Sequence, residues 1–255
     1  MHYLFKSSKI YILAVAGFMA ASLVCKITLA QTADDTWQFT AGLAVVNQPN
    51  HPGSSTQETS LYPVLNAQKN SFFIGTVPET GIPFGAGAYF VQDKNWTIGA
   101  GVGDSIGGNT GQTALGVAFA NYHSKYFNAT SHVRTDIGGN GQGSLFSMDL
   151  YGQIHPSEHL RLTLGPGVTW ANSEYTQKFF GVDATQSTDL GLARYAANGG
   201  INSVSITFGA SYRLTRHWDI GTELTASSLR GDAGDSPLTK SKSQDSATLF
   251  VIRSF

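Results

Sequence analysis

Chemistry in this chain would have to begin with its histidines. Histidine is the usual general base for a serine nucleophile, and after the first thirty residues the chain carries His51, His123, His132, His155, His159 and His217. Four of them, His123, His155, His159 and His217, fall in or beside short turns, where solvent or a lipid headgroup is the ordinary contact. His51 sits in a loop beside two prolines. His132 is placed to point inward from its strand while Ser131 points out, and spacing supplies no Asp or Asn to orient it. No catalytic residue is assigned, and the chain reads as a non-enzyme.

Metal and cofactor chemistry have no better footing. His155 and His159 are four apart, but a strand-turn-strand does not bring that spacing to one face, and there is no cysteine cluster. The glycine-rich run at 138–143, GGNGQG, lacks a P-loop lysine and is not set between a strand and a helix, so it reads as a loop. No metal and no cofactor are expected. The charges that remain of interest are Arg134, Asp149, Arg161 and Glu223, which all take the polar parity of neighbouring or nearby strands. Such a set is either a structural polar plug, paired because an isolated charge away from water is costly, or the lining of a small-solute conduit.

Strands must position those charges. Residues 201–229, INSVSITFGASYRLTRHWDIGTELTASSL, alternate twice over. Val204, Ile206, Phe208, Ala210, Tyr212 and Leu214 share one parity, as do Trp218, Ile220, Thr222, Leu224 and Ala226. Only Thr215, Arg216 and His217 separate the two halves. Period two puts apolar and polar side chains on opposite faces, and a three-residue link makes a tight antiparallel hairpin. Each strand is long enough to cross a bilayer, which takes about 9–11 tilted residues.

The pattern repeats along the chain. Strands are expected over 37–45, 59–67, 71–77, 82–91, 96–102, 112–122, 126–137, 143–154 and 160–170, then the hairpin, then 247–255, twelve in all. In 82–91, Ile82, Phe84, Ala86, Ala88 and Phe90 are expected to face lipid. Leu115, Val117 and Phe119 form the large apolar parity of 112–122. Segments 171–200 and 231–245 read as long polar loops. Short and longer connections alternate, as in a transmembrane β-barrel with short periplasmic turns, longer outer loops and both termini periplasmic. Trp37, Phe90, Trp96, Phe127, Tyr212, Trp218 and Phe255 are expected to form an aromatic girdle at the periplasmic interface. The terminal Phe255, with Leu249 and Val251, resembles the signal read by the outer-membrane assembly machinery. Arg253 departs from that signal, and can snorkel at the interface.

Composition agrees with an all-β barrel. Lys6 and Lys9, an apolar run over 10–24 and the ending Thr28-Leu29-Ala30 describe a cleaved secretory signal over 1–30, leaving 31–255 as the barrel. The net charge of −1 becomes −4 when Lys6, Lys9 and Lys26 leave with the leader, which excludes a basic nucleic-acid surface. The single cysteine, Cys25, leaves too, so no disulfide is expected. A mean hydropathy of −0.09 is compatible with a barrel because only alternate strand residues meet lipid.

Four stretches carry a family resemblance: GPGVTWANSEYTQKFFGV at 165–182, NQPNHPGS at 47–54, ARYAANGGINSVSI at 193–206 and GDAGDSPL at 231–238. They resemble the MipA/OmpV family of outer-membrane proteins, in order and over essentially the whole mature chain. The resemblance implies a monomeric barrel in the outer membrane of a Gram-negative bacterium. It also implies a scaffold that bridges a lytic transglycosylase and a peptidoglycan synthase. Porin-like and adhesin-like members keep a solute channel and a surface adhesin or antigen open as alternatives.

Overall fold

The computed structural model describes residues 36–105 and 113–255, so the expected leader at 1–30 lies outside the described residues. Strands β1 (Gln38–Pro49), β2 (Gln57–Lys69), β3 (Phe72–Val77), β4 (Ile82–Gln92), β5 (Trp96–Ser105) and β6 (Thr113–His123) form the first half of the wall. Strands β7 (Phe127–Asp136), β8 (Ser144–Ile154), β9 (Leu160–Ala171), β10 (Gly200–Arg213), β11 (Trp218–Leu229) and β12 (Ser246–Ser254) form the second. Each pairs antiparallel with its neighbours, and β12 returns to β1, so the sheet is a closed twelve-stranded barrel. Closure removes the open edges that hydrocarbon cannot hydrate, save along part of β2.

The outer face is greasy. Leu43, Leu65, Ile74, Phe84, Met148, Leu150, Leu164, Ile206, Leu224 and Leu249 are all exposed on alternate positions. A water-soluble sheet would bury such a belt, so its solvent here is lipid.

In one strand the structure settles a facing that alternation left open, and another strand departs from the expected facing at its end. In β6 the large residues point inward: Val117 and Phe119 are buried, and the small Ala114 and Ala118 face out. In β4, Phe84, Ala86 and Phe90 face out, but Ile82 is only 1% exposed. Both placements have one cause. Glycines line the inner faces of β4 and β5, and a Cβ built on Gly87 or Gly99 would collide with the rings of Phe73 or Phe119. Rings fill the space that missing side chains leave.

The wall also splits. Phe255 N–H donates to the Phe39 carbonyl, so odd-numbered residues of β1 bond towards β12 and even ones towards β2. On β2, by the same alternation, Leu61, Pro63 and Leu65 turn their main-chain groups towards β3. Yet β3 pairs only with Asn66–Lys69. Pro63 has no N–H to offer a ladder. Gly75, at φ 125°, lies against the Leu65 carbonyl where a Cβ would not fit, and the chain turns inward there.

Two expected loops contain helices. Residues 171–200 hold α1 (Ser173–Phe180) and α2 (Ala184–Leu190), and residues 231–245 open with α3 (Gly231–Asp235). Asn172 caps α1 by accepting from Tyr175 N, and Asp183 with Gln186 forms a capping box on α2. Phe180, Ala197, Leu229 and Ala233 pack together with Tyr175, Phe179 and Tyr195 into a small core of their own. This cap covers the end of the barrel opposite the termini.

Candidate functional site

The lumen is the candidate site, and its floor plan follows from the inward turn of β3. Beyond Gly75 both parities of the chain become buried: Thr76, Val77, Thr80 and Ile82 are enclosed and Glu79 is 3% exposed. The β3–β4 tip therefore lies inside the barrel. It is held by Thr80 Oγ1 donating to the Val77 carbonyl at 3.0 Å and Thr76 Oγ1 donating to the Pro83 carbonyl at 3.3 Å. Val77 and Ile82 pack on Phe73, Val117 and Phe119. Phe73 and Tyr89 lie 5.0 Å apart between ring centroids, and Phe119 is 6.0–6.2 Å from both. A second apolar cluster, Ala44, Val46, Tyr62, Val64, Phe250 and Ile252, fills the lumen side of β12, β1 and β2.

The opposite wall is polar. One cross-strand row runs Thr97, Asn121, Thr130 and Asp149 across β5 to β8. Asp149 leans over Gly167 towards Ser205, a place open only because residue 167 has no side chain. The four lumen charges expected from parity do not form one cluster. Glu223 interacts electrostatically with Asp149 and with Glu79 on the inserted tip, and all three carboxyl groups act on the Tyr151 hydroxyl. Arg134 lies nearer the cap, beside His132 and within electrostatic reach of Tyr175 from α1. Arg161 lies near the opposite end and acts on His123. His132 is buried, with Nδ1 unpartnered.

Glu79 is the residue that sequence reasoning missed. It sits in a four-residue link, 78–81, where the neighbouring connections at the same end of the barrel are longer. That shortness is the available signal: a hairpin too short to reach the rim must stop inside the wall. Among the described residues no group of three or more His, Cys, Asp or Glu is arranged to hold a metal. Chemically the lumen presents a mid-level carboxylate belt, one aromatic wall and one polar wall.

The seven expected girdle residues lie at strand ends adjoining the termini. All are exposed, from Trp218 at 40% to Phe90 at 70%. Trp96 packs edge-on to Tyr122 at 5.0 Å, and Tyr122 lies 5.5 Å from Phe127. Arg253 reaches back over the Phe255 and Trp218 rings, at 4.5 and 5.7 Å. At the far end, the four stretches that carried the family resemblance meet around the cap. Ser236 Oγ donates to the Phe180 carbonyl at 2.6 Å, Asn198 N to Asp232 Oδ2 at 2.7 Å, and Lys240 N to the Gly53 carbonyl at 2.8 Å.

The profile of the family described as "MltA-interacting protein MipA" matches residues 41–255. The chain belongs to the MipA family. This MipA-family chain is thus an outer-membrane β-barrel protein whose whole strand set falls within the match, save the first residues of β1. No curated protein sequence matches it. Solved structures of similar shape include the NanC porin, at 14% identity, covering 82% of this chain and 98% of that one with a TM-score of 0.46. A bacterial polysaccharide outer membrane secretin matches at 9% identity, 88% and 100% coverage and a TM-score of 0.47. The outer membrane channel DcaP of Acinetobacter baumannii matches at 10%, 86% and 96% coverage and a TM-score of 0.41.

Proposed function

We propose that this MipA-family barrel is a non-enzymatic scaffold of the outer membrane, linked to peptidoglycan metabolism. Its termini and short turns face the periplasm, and lipid is the solvent of its wall. The observation that carries the reading is the packing inside the lumen. The β3–β4 tip, two apolar clusters and the α1–α3 cap fill the space that a general conduit would keep wet. A barrel whose interior is committed to packing has its surfaces left for function. The family description names MltA as a partner, and the resemblance read from the sequence implies a lytic transglycosylase there, with a peptidoglycan synthase as the second arm of the bridge. The periplasmic surfaces on offer are the turns at 70–71, 93–95, 124–126, 155–159 and 214–217, together with the girdle end of the wall. The seven girdle aromatics anchor that end at the membrane interface.

Chemical crosslinking in intact envelopes, followed by capture of the tagged native chain, tests this. Recovery of a transglycosylase or a peptidoglycan synthase, lost on multiple substitution of the turns, is the expected result. Recovery that ignores every turn substitution overturns it. Changes in 171–200 that alter surface binding instead would favour an adhesin.

A further inference from the structure

We propose that the terminal rim of the barrel is a binding surface for anionic phospholipid headgroups. Among the described residues, the side-chain charges outside the lumen divide by end. Lys69, Lys94, Lys125, Arg213, Arg216 and Arg253 lie at the strand ends and turns beside the termini, against Asp93, Glu158 and Asp219. At the cap end the balance reverses: Lys178, Arg194, Arg230, Lys240 and Lys242 are outnumbered by acids that include Glu58, Asp104, Asp183, Asp189, Asp232 and Asp245. Of the rim acids, Asp219 is engaged by Arg213 at 3.7 Å, and Asp93 accepts two main-chain N–H groups.

Three features favour lipid over a protein partner. The cations are spread around the circumference: four of the five short turns have a Lys or Arg in them or at the preceding strand end, and the fifth carries His155 and His159. A compact partner would need them gathered on one side, whereas an annulus of headgroups meets every turn. The cations also share their level with exposed aromatics, the pairing expected at an interface. Finally, Arg253 takes outward parity and lies over the Phe255 and Trp218 rings, so its charge is carried on the lipid-facing wall and not towards the periplasm. A cation within a Debye length of an anionic bilayer is drawn to it. The inference concerns the same end of the barrel as the scaffold reading, but its readout is lipid preference, not protein capture.

The tryptophans make it measurable. Trp37, Trp96 and Trp218 stand at the terminal rim and only Trp170 stands towards the cap. The full chain carrying Trp170→Phe is reconstituted in phosphatidylcholine vesicles containing brominated phosphatidylglycerol or brominated phosphatidylcholine. The expected result is an anionic-over-zwitterionic quenching preference of about threefold at low salt, falling to parity in about 1 M salt. The combined variant Lys94→Gln, Lys125→Gln, Arg216→Gln and Arg253→Gln should lose most of that preference while keeping the heat-resistant mobility of a folded barrel. Arg253→Lys in the otherwise unaltered chain should retain it. Equal quenching by the two lipids at low salt overturns the proposal. So does a preference that survives in the four-site variant, or loss of protein capture by that variant with its lipid preference intact. Failure to capture cell-wall enzymes, with lipid preference present, overturns only the scaffold reading.

Discussion

A ring lying on a bare main chain is the recurrent contact of this interior. Phe119 sits where a side chain on Gly99 would have to be, with its Cζ 2.6 Å from the site of a Cβ, and Phe250 does the same at Gly221. Phe119→Ala should therefore cost about 3–5 kcal/mol of unfolding free energy, and Gly99→Val about 1–3 kcal/mol from overpacking. Urea titration of the barrel in lipid vesicles measures both, and the double variant should lose less than the two single losses combined, because the sites touch. Asp93 gives a different kind of prediction. Its carboxylate accepts from Trp96 N and Asn95 N, both at 2.8 Å, and these bonds hold its pKa below the usual carboxylate range. A depressed folded value means that its contribution is present above the unfolded pKa of about 3.9 and is lost as pH falls through the folded one. The thermal midpoint of Asp93→Ala should fall below that of the unaltered chain at neutral pH, and the gap should close in acid.

Among the elements, the inserted β3–β4 hairpin obstructs the lumen from within, as the cap does from one end. Replacing residues 76–82 by a short glycine-serine turn, in a chain whose segment 172–199 is also replaced by a short link, should produce single-channel steps in planar bilayers that the same shortened chain with its tip intact lacks. Equal conductance from both would show that the tip is not the obstruction. This hairpin also marks the limit of what period two reveals. Alternation located twelve strands and gave Arg134, Asp149, Arg161 and Glu223 a common face, because a wall with lipid on one side admits few charges there. It did not say which face of β6 was wet. Val117 and Phe119 alternate with alanine and glycine, and only the glycine-lined wall of β4 and β5 makes the lumen the better place for the rings. Glu79 was invisible to parity because both parities of the tip are enclosed. The helices of the cap were partly legible: Asp183 followed by Gln186 has capping-box spacing, and Asn172 precedes α1. Their packing was not, since Phe180 meets Ala233 only through a contact between distant parts of the chain.

At the scale of the molecule, a cap sealed by side-chain-to-carbonyl bonds closes one mouth, while a cationic, aromatic rim frames the other. The family stretches gather at the sealed mouth and the proposed partners at the framed one, so loss of the cap should leave enzyme capture unaltered. Between the mouths, the cylinder carries a built-in tear line. From Gln57 to Leu65, β2 holds one flank by its ladder to β1, and on its other flank the register with β3 stops at Asn66. Denaturation should begin there, with the β1–β2 ribbon peeling off before β8, β9 and β10, whose amides are latched on both sides. Hydrogen–deuterium exchange should find the amides of Thr59 and Leu61 among the first strand amides to take up label. Were they as slow as those of β9, the slit would be shut in the membrane and the barrel would come apart elsewhere.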